Sequence, residues 1–214
     1  MVDHMEAIKN AVIGGKHAEI KALVGQALDA GLDPNTIIND ALIAAMDVVG
    51  KDFGSGKIFV PEMLVAALTM KSGLDVVKPR LAAGQSQSRG TVIMATVKGD
   101  LHDIGKNLVS MMLEGAGFKV LDLGVDLSVE KLIDQVKAIQ PDILGLSALL
   151  TTTMPEMQKV IGELKTQGLR DKVKVMVGGA PLDRTFAEKI GADGYGANAA
   201  EAVELARRFA GVTA

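Results

Sequence analysis

From the amino terminus to Leu81, apolar positions recur at intervals of three and four residues, the spacing of one face of a helix. Ile8, Ala11 and Val12 begin the pattern, and Ile20, Leu23, Val24, Ala27 and Leu28 continue it. It breaks near Gly14-Gly15 and ends at Ala30-Gly31. Asp33-Pro34-Asn35-Thr36 reads as a helix start, since Asp accepts from unpaired N–H groups and proline suits a first turn. Ile38, Leu42, Ala45, Met46, Val49 and Phe53 then share one predicted face, until Gly54-Ser55-Gly56 breaks it. Pro61 opens a third helix with Leu64, Ala67, Leu68 and Lys71, and Gly73 is expected to end it, with a short fourth helix running to about Leu81. Short helices with tight connections predict a small antiparallel bundle.

The pattern lapses into small and polar residues over Ala82–Gly90, then changes period. Strand-like runs lie at Thr91–Val97, Lys119–Leu123, Ile143–Leu146 and Val173–Val177, with a weaker one at Gly194-Tyr195. Helical stretches begin near Ile104, Ser128, Pro155, Leu182 and Ala199. This alternation predicts a doubly wound parallel sheet, an α/β (Rossmann-like) domain. With a flavodoxin-like strand order of 2-1-3-4-5, its crevice opens between the ends of the first and third strands. The expected organisation is therefore a helical cap domain over residues 1–83, a linker over 84–90 and the sheet domain over 91–214.

Composition narrows the chemistry. The 214 residues are 48% hydrophobic and 23% charged, as in globular proteins, with a formal net charge of −3 and no basic block, which argues against nucleic acid as a partner. No apolar run reaches the roughly 20 residues of a membrane span, and the first residues do not read as a signal peptide. A cytoplasmic protein is expected. The absence of cysteine excludes disulfides, thiolate metal sites and cysteine nucleophiles. There are only 3 histidines, so a multi-histidine metal site is not expected, and the 11 methionines read first as core filler.

What remains converges on one edge of the predicted sheet. The first strand delivers Gly99-Asp100-Leu101-His102-Asp103-Ile104-Gly105, the third Ser147-Ala148-Leu149 and Leu150-Thr151-Thr152-Thr153, and the fourth Gly178-Gly179. A carboxylate two residues from an imidazole is able to take the proton of one ring nitrogen, fixing the tautomer and raising the basicity of the other. Gly105 is expected to let its helix approach the strand closely. Gly178-Gly179 is expected to leave room where a ligand passes the backbone. Ser147 and Thr151 offer hydrogen bonds inside a narrow slot. Taken singly, each has a plainer explanation: a surface turn, a helix cap, a tight loop. Their joint occurrence on successive loops of one sheet favours a site.

The set Asp100-Leu101-His102-Asp103-Ile104-Gly105, Ser147-Ala148-Leu149 and Gly178-Gly179 resembles the cobalamin-binding motif. Phe53-Gly54-Ser55-Gly56-Lys57-Ile58-Phe59-Val60-Pro61 is similar to the cap segment of the cobalamin module of methionine synthase, so the resemblance covers nearly the whole chain. It implies cobalamin or a related corrinoid bound base-off/His-on, with His102 as lower axial cobalt ligand, Asp100 bonded to it and Thr153 completing a triad that often carries Ser. Asp103, Ile104, Gly105, Ser147, Leu149, Thr151, Gly178, Gly179 and Ala199 are the further cofactor contacts expected in the sheet domain. Phe53, Val60 and Met63 are those expected in the cap, and Asn39 stands where methionine synthase has a glutamate.

A cap and cobalamin domain without a substrate barrel or activation domain resembles the corrinoid protein of a multicomponent methyltransferase system. In such systems a substrate methyltransferase moves a methyl group from a methylamine, betaine, methanol or aryl methyl ether to Co(I). A second methyltransferase passes it from methyl-Co(III) to tetrahydrofolate, another tetrahydropterin or coenzyme M. A reductive activating protein is a further implied partner. On this reading the chain is a non-catalytic cofactor-carrying subunit, without nucleic-acid or membrane partners. Two other classes stay open: a subunit of an adenosylcobalamin mutase, and a cobalamin-dependent sensor or regulator. A flavodoxin-like protein binding another nucleotide leaves Asp100 and His102 without a role.

Overall fold

A computed structural model describes residues 3–81 and 88–212 of the chain. Two compact units are present, Met1–Ser88 with Glu114–Gly117, and Arg89–Leu113 with Phe118–Ala214. Residues 82–87, which include most of the stretch read as a linker, lie outside the described residues.

The first unit is helical. Helices α1 (His4–Ile13) and α2 (His17–Asp29) are separated at Gly14-Gly15, where Gly15 takes φ +63°, a left-handed conformation open to glycine. Asp3 caps α1 by accepting from the N–H groups of Met5 and Glu6. A single rod follows in three parts: α3 (Pro34–Thr36), a π-helical stretch (Ile37–Ile43) and α4 (Ala44–Gly54). Asp33 starts it as expected, accepting the Thr36 N–H at 2.9 Å. The wider π turn rotates the apolar stripe, so that Ile37 is buried and Ile38, expected on the inner face, is only half-buried.

Helix α5 (Val60–Val77) corrects the expected break at Gly73. Glu62 accepts the Phe59 N–H at 3.1 Å and starts the helix, which then runs unbroken and ends in a 3₁₀ turn, Lys78–Arg80. Its buried side carries Met63, Ala66, Ala67, Met70, Gly73 and Val77, while Leu68 is exposed. Gly73 is a packing contact: a Cβ there would lie 2.9 Å from Leu42 Cδ2 and 3.2 Å from Ile20 Cγ1. The close approach of three helices requires that missing side chain, at the roughly 1 kcal/mol that a mid-helix glycine costs. The first segment thus supplies α1 and α2, and the expected third and fourth helices are one.

The second unit is a sheet of five parallel strands in the order β2-β1-β3-β4-β5. Its strands are β1 (Thr91–Thr96), β2 (Lys119–Asp122), β3 (Ile143–Ser147), β4 (Lys174–Gly178) and β5 (Gly194–Tyr195). The connecting helices are α6 (Ile104–Gly115), α7 (Val129–Ile139), α8 (Met154–Thr166) and α9 (Arg184–Ile190), with α10 (Ala199–Phe209) closing the chain. Ile93, Ala95, Leu144, Leu146, Val175 and Val177 form one core face with residues of α7, α8 and α9, including Leu132, Val136, Met157 and Ile161. On the opposite face Gly145 makes room for methionine, since a Cβ there would lie 2.3 Å from Met94 Sδ and 3.1 Å from Met176 Cε. Those methionines are core filler, as composition suggests.

The order places the carboxyl ends of β1 and β3 side by side, with Thr96 opposite Ser147 and Ser147 opposite Gly178. Among the described residues no helix is long and apolar enough to cross a membrane. Filling the gap at Gly73 tests the packing of the helical unit. Gly73→Leu is expected to lower its stability by about 2 kcal/mol through overpacking, measured by urea denaturation followed by helical circular dichroism. A variant as stable as the parent contradicts the packing role.

Candidate functional site

The loop between β1 and α6 is organised around a buried charge. Asp100 is 0% exposed, yet it is bonded on both carboxylate oxygens. Oδ1 accepts the His102 N–H at 3.1 Å and lies 2.7 Å from His102 Nδ1. Oδ2 accepts the N–H groups of Leu149 at 2.7 Å and Leu150 at 3.3 Å. The Thr153 hydroxyl donates to the same oxygen at 2.7 Å. Burial pushes against the charge, but the Leu149 N–H, the Thr153 hydroxyl and the His102 ring and N–H outweigh it. Together they hold the carboxyl well below the usual carboxylate range.

An ionised Asp100 has only lone pairs to offer, so His102 Nδ1 carries the proton it shares with Oδ1. In the neutral ring the other nitrogen, Nε2, then carries the lone pair able to bind a metal. The His102 side chain is 52% exposed, so the ring leaves its anchor and reaches solvent. Its backbone is fixed as well, because the Thr96 hydroxyl donates to the His102 carbonyl at 2.9 Å. Thr153 begins α8 without a side-chain cap bond, its hydroxyl facing Asp100 instead. This is the triad expected from the sequence, assembled from two loops.

Large apolar side chains on the same two loops and at the start of α6 stand in water. Ile104 is 85% exposed, Leu101 is 71% exposed, and Leu149 and Leu150 are exposed on the neighbouring loop. Such a patch on a monomer marks a surface that something apolar covers. Among the described residues no three His, Asp or Glu side chains group to hold a metal ion. A metal held through His102 must therefore bring its other ligands with it, as the flat macrocycle of a corrinoid does. The donor set and its apolar surround fit such a group.

Other expected contacts are placed less simply. Asp103 is exposed and accepts the Asn107 side-chain N–H at 3.1 Å, steadying the first turn of α6. A Cβ on Gly105 would meet nothing within 4 Å, so close helix–strand packing does not explain this glycine. At Gly179 the backbone itself demands glycine: φ is +140°, and a Cβ would fall 1.8 Å from the Ala148 carbonyl oxygen. The protein's own chain passes there, holding the loop after β4 against the end of β3. A Cβ on Gly178 would come 3.1 Å from the Gly196 carbonyl. Thr151 is exposed, Ser147 is half-buried and Ala199 is buried at the start of α10. In the helical unit Phe53 is half-buried, Val60 is exposed and Met63 is fully buried in the core.

Sequence reasoning passes over three residues at this edge. Lys106 is buried and pairs with Asp122 at the end of β2, while donating to Asn107 Oδ1 at 2.8 Å. Asp126, after β2, accepts the Gly99 N–H at 2.7 Å. The one available signal was position: all three lie at the carboxyl edge where the motif loops meet.

Comparison with known proteins matches residues 90–204 and, separately, residues 5–78 to the B12 binding domain. The chain belongs to the corrinoid, B12-binding proteins. Trimethylamine corrinoid protein 2 of Methanosarcina mazei is 46% identical over 180 residues, covering 83% of each chain. Dimethylamine corrinoid protein 1 of Methanosarcina acetivorans is 44% identical over 206 residues, covering 96% of each. The crystal structure of a methanol:cobalamin methyltransferase complex from Methanosarcina barkeri contains a chain that superposes with TM-score 0.88 at 32% identity, covering 99% of this chain and 81% of that one.

The bonding of Asp100 in this corrinoid protein has a sign. A carboxyl whose folded pKa is depressed adds stability that is complete above its unfolded pKa of about 3.9 and is lost as pH falls toward the folded value. Every bond to Asp100 comes from a donor, so the amide of Asp100→Asn must turn its NH₂ toward donors on one side. The variant is expected to be less stable by about 2 kcal/mol at neutral pH, with the gap closing below about pH 4. Denaturant titrations across pH measure this, and a gap that stays constant into strong acid contradicts the assignment.

Proposed function

We propose that this chain is the methyl-carrying corrinoid protein of a methylamine-type methyltransferase system. The observation that carries the reading is the His102 ring, anchored through Nδ1 on a buried carboxylate and presented to solvent among exposed leucine and isoleucine side chains. The names of the methylamine corrinoid proteins among its relatives support the choice of donor. A bound corrinoid supplies a cobalt centre able to take a methyl group from one partner and give it to another.

The chain's own residues bind, orient and shield. His102 Nε2 would hold the cobalt of a bound corrinoid in place of the cofactor's own base. Asp100 holds the proton at Nδ1 and fixes the ring, and Thr153 holds Asp100. Leu101, Ile104, Leu149 and Leu150 exclude water from the cofactor. Asp103, Gly105, Ser147, Thr151, Gly178, Gly179 and Ala199 are proposed to line the remainder of its site, and Phe53 and Val60 are proposed as further cofactor contacts. Met63, buried in that unit's core, is left out of the proposed set. The partners are a substrate methyltransferase that loads the carrier, a second that unloads it to a tetrahydropterin or coenzyme M, and a reductive activating protein. Neither transfer is catalysed by the carrier alone.

The reading is tested by reconstitution. The chain is expected to retain stoichiometric cobalamin through gel filtration. With methyltransferases for mono-, di- and trimethylamine supplied in turn, one is expected to methylate the bound cofactor far faster than free cobalamin. Loss of the cofactor on the column, or methylation no faster than in free solution with every amine, overturns it.

A further inference from the structure

Beyond β2 the chain does not leave the sheet edge at once. The Leu123 N–H donates to the Met94 carbonyl at 2.9 Å, the Thr96 N–H to the Gly124 carbonyl at 3.0 Å, and the Leu127 N–H to the Thr96 carbonyl at 3.1 Å. The loop before α7 therefore runs beside the loop that carries His102. Between Gly124 and Leu127 it turns through Asp126, whose φ of +55° lies in the left-handed region. That conformation is costly for a residue with a Cβ, and glycine adopts it without penalty.

The Asp126 side chain gives the position its reason. Asx residues in turns ordinarily bond their own backbone a residue or two away. Asp126 instead accepts from Gly99, 27 residues back along the chain, at 2.7 Å. Its own N–H donates to the Asp100 carbonyl at 3.1 Å. The two bonds grip the backbone on both sides of the Gly99–Asp100 peptide. Gly99 has φ +79° and depends on such a grip, having no side chain to hold it. Asp100 in turn anchors His102.

We infer that Asp126 is a positioning residue for His102: by clasping Gly99 and Asp100 it fixes the carboxylate that orients the ring. The inference deepens the proposed role of His102 and, for its effect on cobalt ligation, rests on that reading. Two variants separate its parts. Asp126→Gly keeps the backbone N–H and relieves the left-handed strain but removes the acceptor. Asp126→Asn keeps an acceptor oxygen and tolerates the conformation.

The first measurement is amide hydrogen exchange in the cofactor-free protein. In Asp126→Gly, exchange at Gly99, His102 and Leu149 is expected to rise by about tenfold, the effect of losing one charge-assisted bond. In Asp126→Asn it is expected to stay near the parent value, and the thermal midpoint of neither variant should fall enough to explain the change. The second measurement is the visible spectrum of protein reconstituted with cobalamin. Asp126→Gly is expected to shift the ratio of axially ligated to unligated cobalt down by about tenfold, with Asp126→Asn restoring it. Unchanged exchange and spectrum in Asp126→Gly overturn the proposal, as does an Asp126→Asn variant as impaired as Asp126→Gly. A parent protein without histidine ligation overturns the ligand reading alone, and the exchange data then decide the positioning claim by themselves.

Discussion

The site depends on one buried carboxylate. Taking Asp100 out of water costs several kcal/mol, and that cost is offset only while its oxygens keep their donors. Those donors come from two loops distant in sequence: the His102 ring and N–H on one side, and Leu149, Leu150 and Thr153 on the other. The charge therefore ties the carboxyl end of β1 to that of β3, across the crevice that the strand order opens. It also leaves His102 with a single orientation, Nδ1 inward and Nε2 outward. The apolar side chains on the same loops complete a surface that is poor for water and good for a flat macrocycle.

Much of the architecture was readable from local pattern. The change from a three-four period to alternating strand and helix marked the sheet, and the strand order of that sheet is the one expected. Asp33, Ser128 and Ala199 mark helix starts within a residue of where they occur, because capping is local chemistry. The triad of Asp100, His102 and Thr153 was legible through resemblance to the cobalamin motif, and the hydrogen bonds give it a physical basis.

What the sequence concealed depends on distant neighbours. Gly73 looks like a helix breaker until Ile20 and Leu42 are seen packed against it. The π turn at Ile37–Ile43 moves the inner face from Ile38 to Ile37, a shift that no fixed period reveals. Gly179 suggests room beside a ligand, but its φ of +140° and the nearby Ala148 carbonyl require glycine there with or without one. Lys106, Asp122 and Asp126 are ordinary charged residues in the chain and acquire meaning only when the loops after β1 and β2 lie side by side.

The central claim is the proposal that His102 would hold the cobalt of a bound corrinoid in place of the cofactor's own base. It is tested most directly by electron paramagnetic resonance of the protein reconstituted with Co(II) cobalamin, after growth with ¹⁵N-histidine. A histidine nitrogen on the axis splits each cobalt line into a triplet in unlabelled protein and a doublet in labelled protein, and His102→Gly abolishes the doublet. A triplet that persists in the labelled protein places the cofactor's own base on cobalt and contradicts the account.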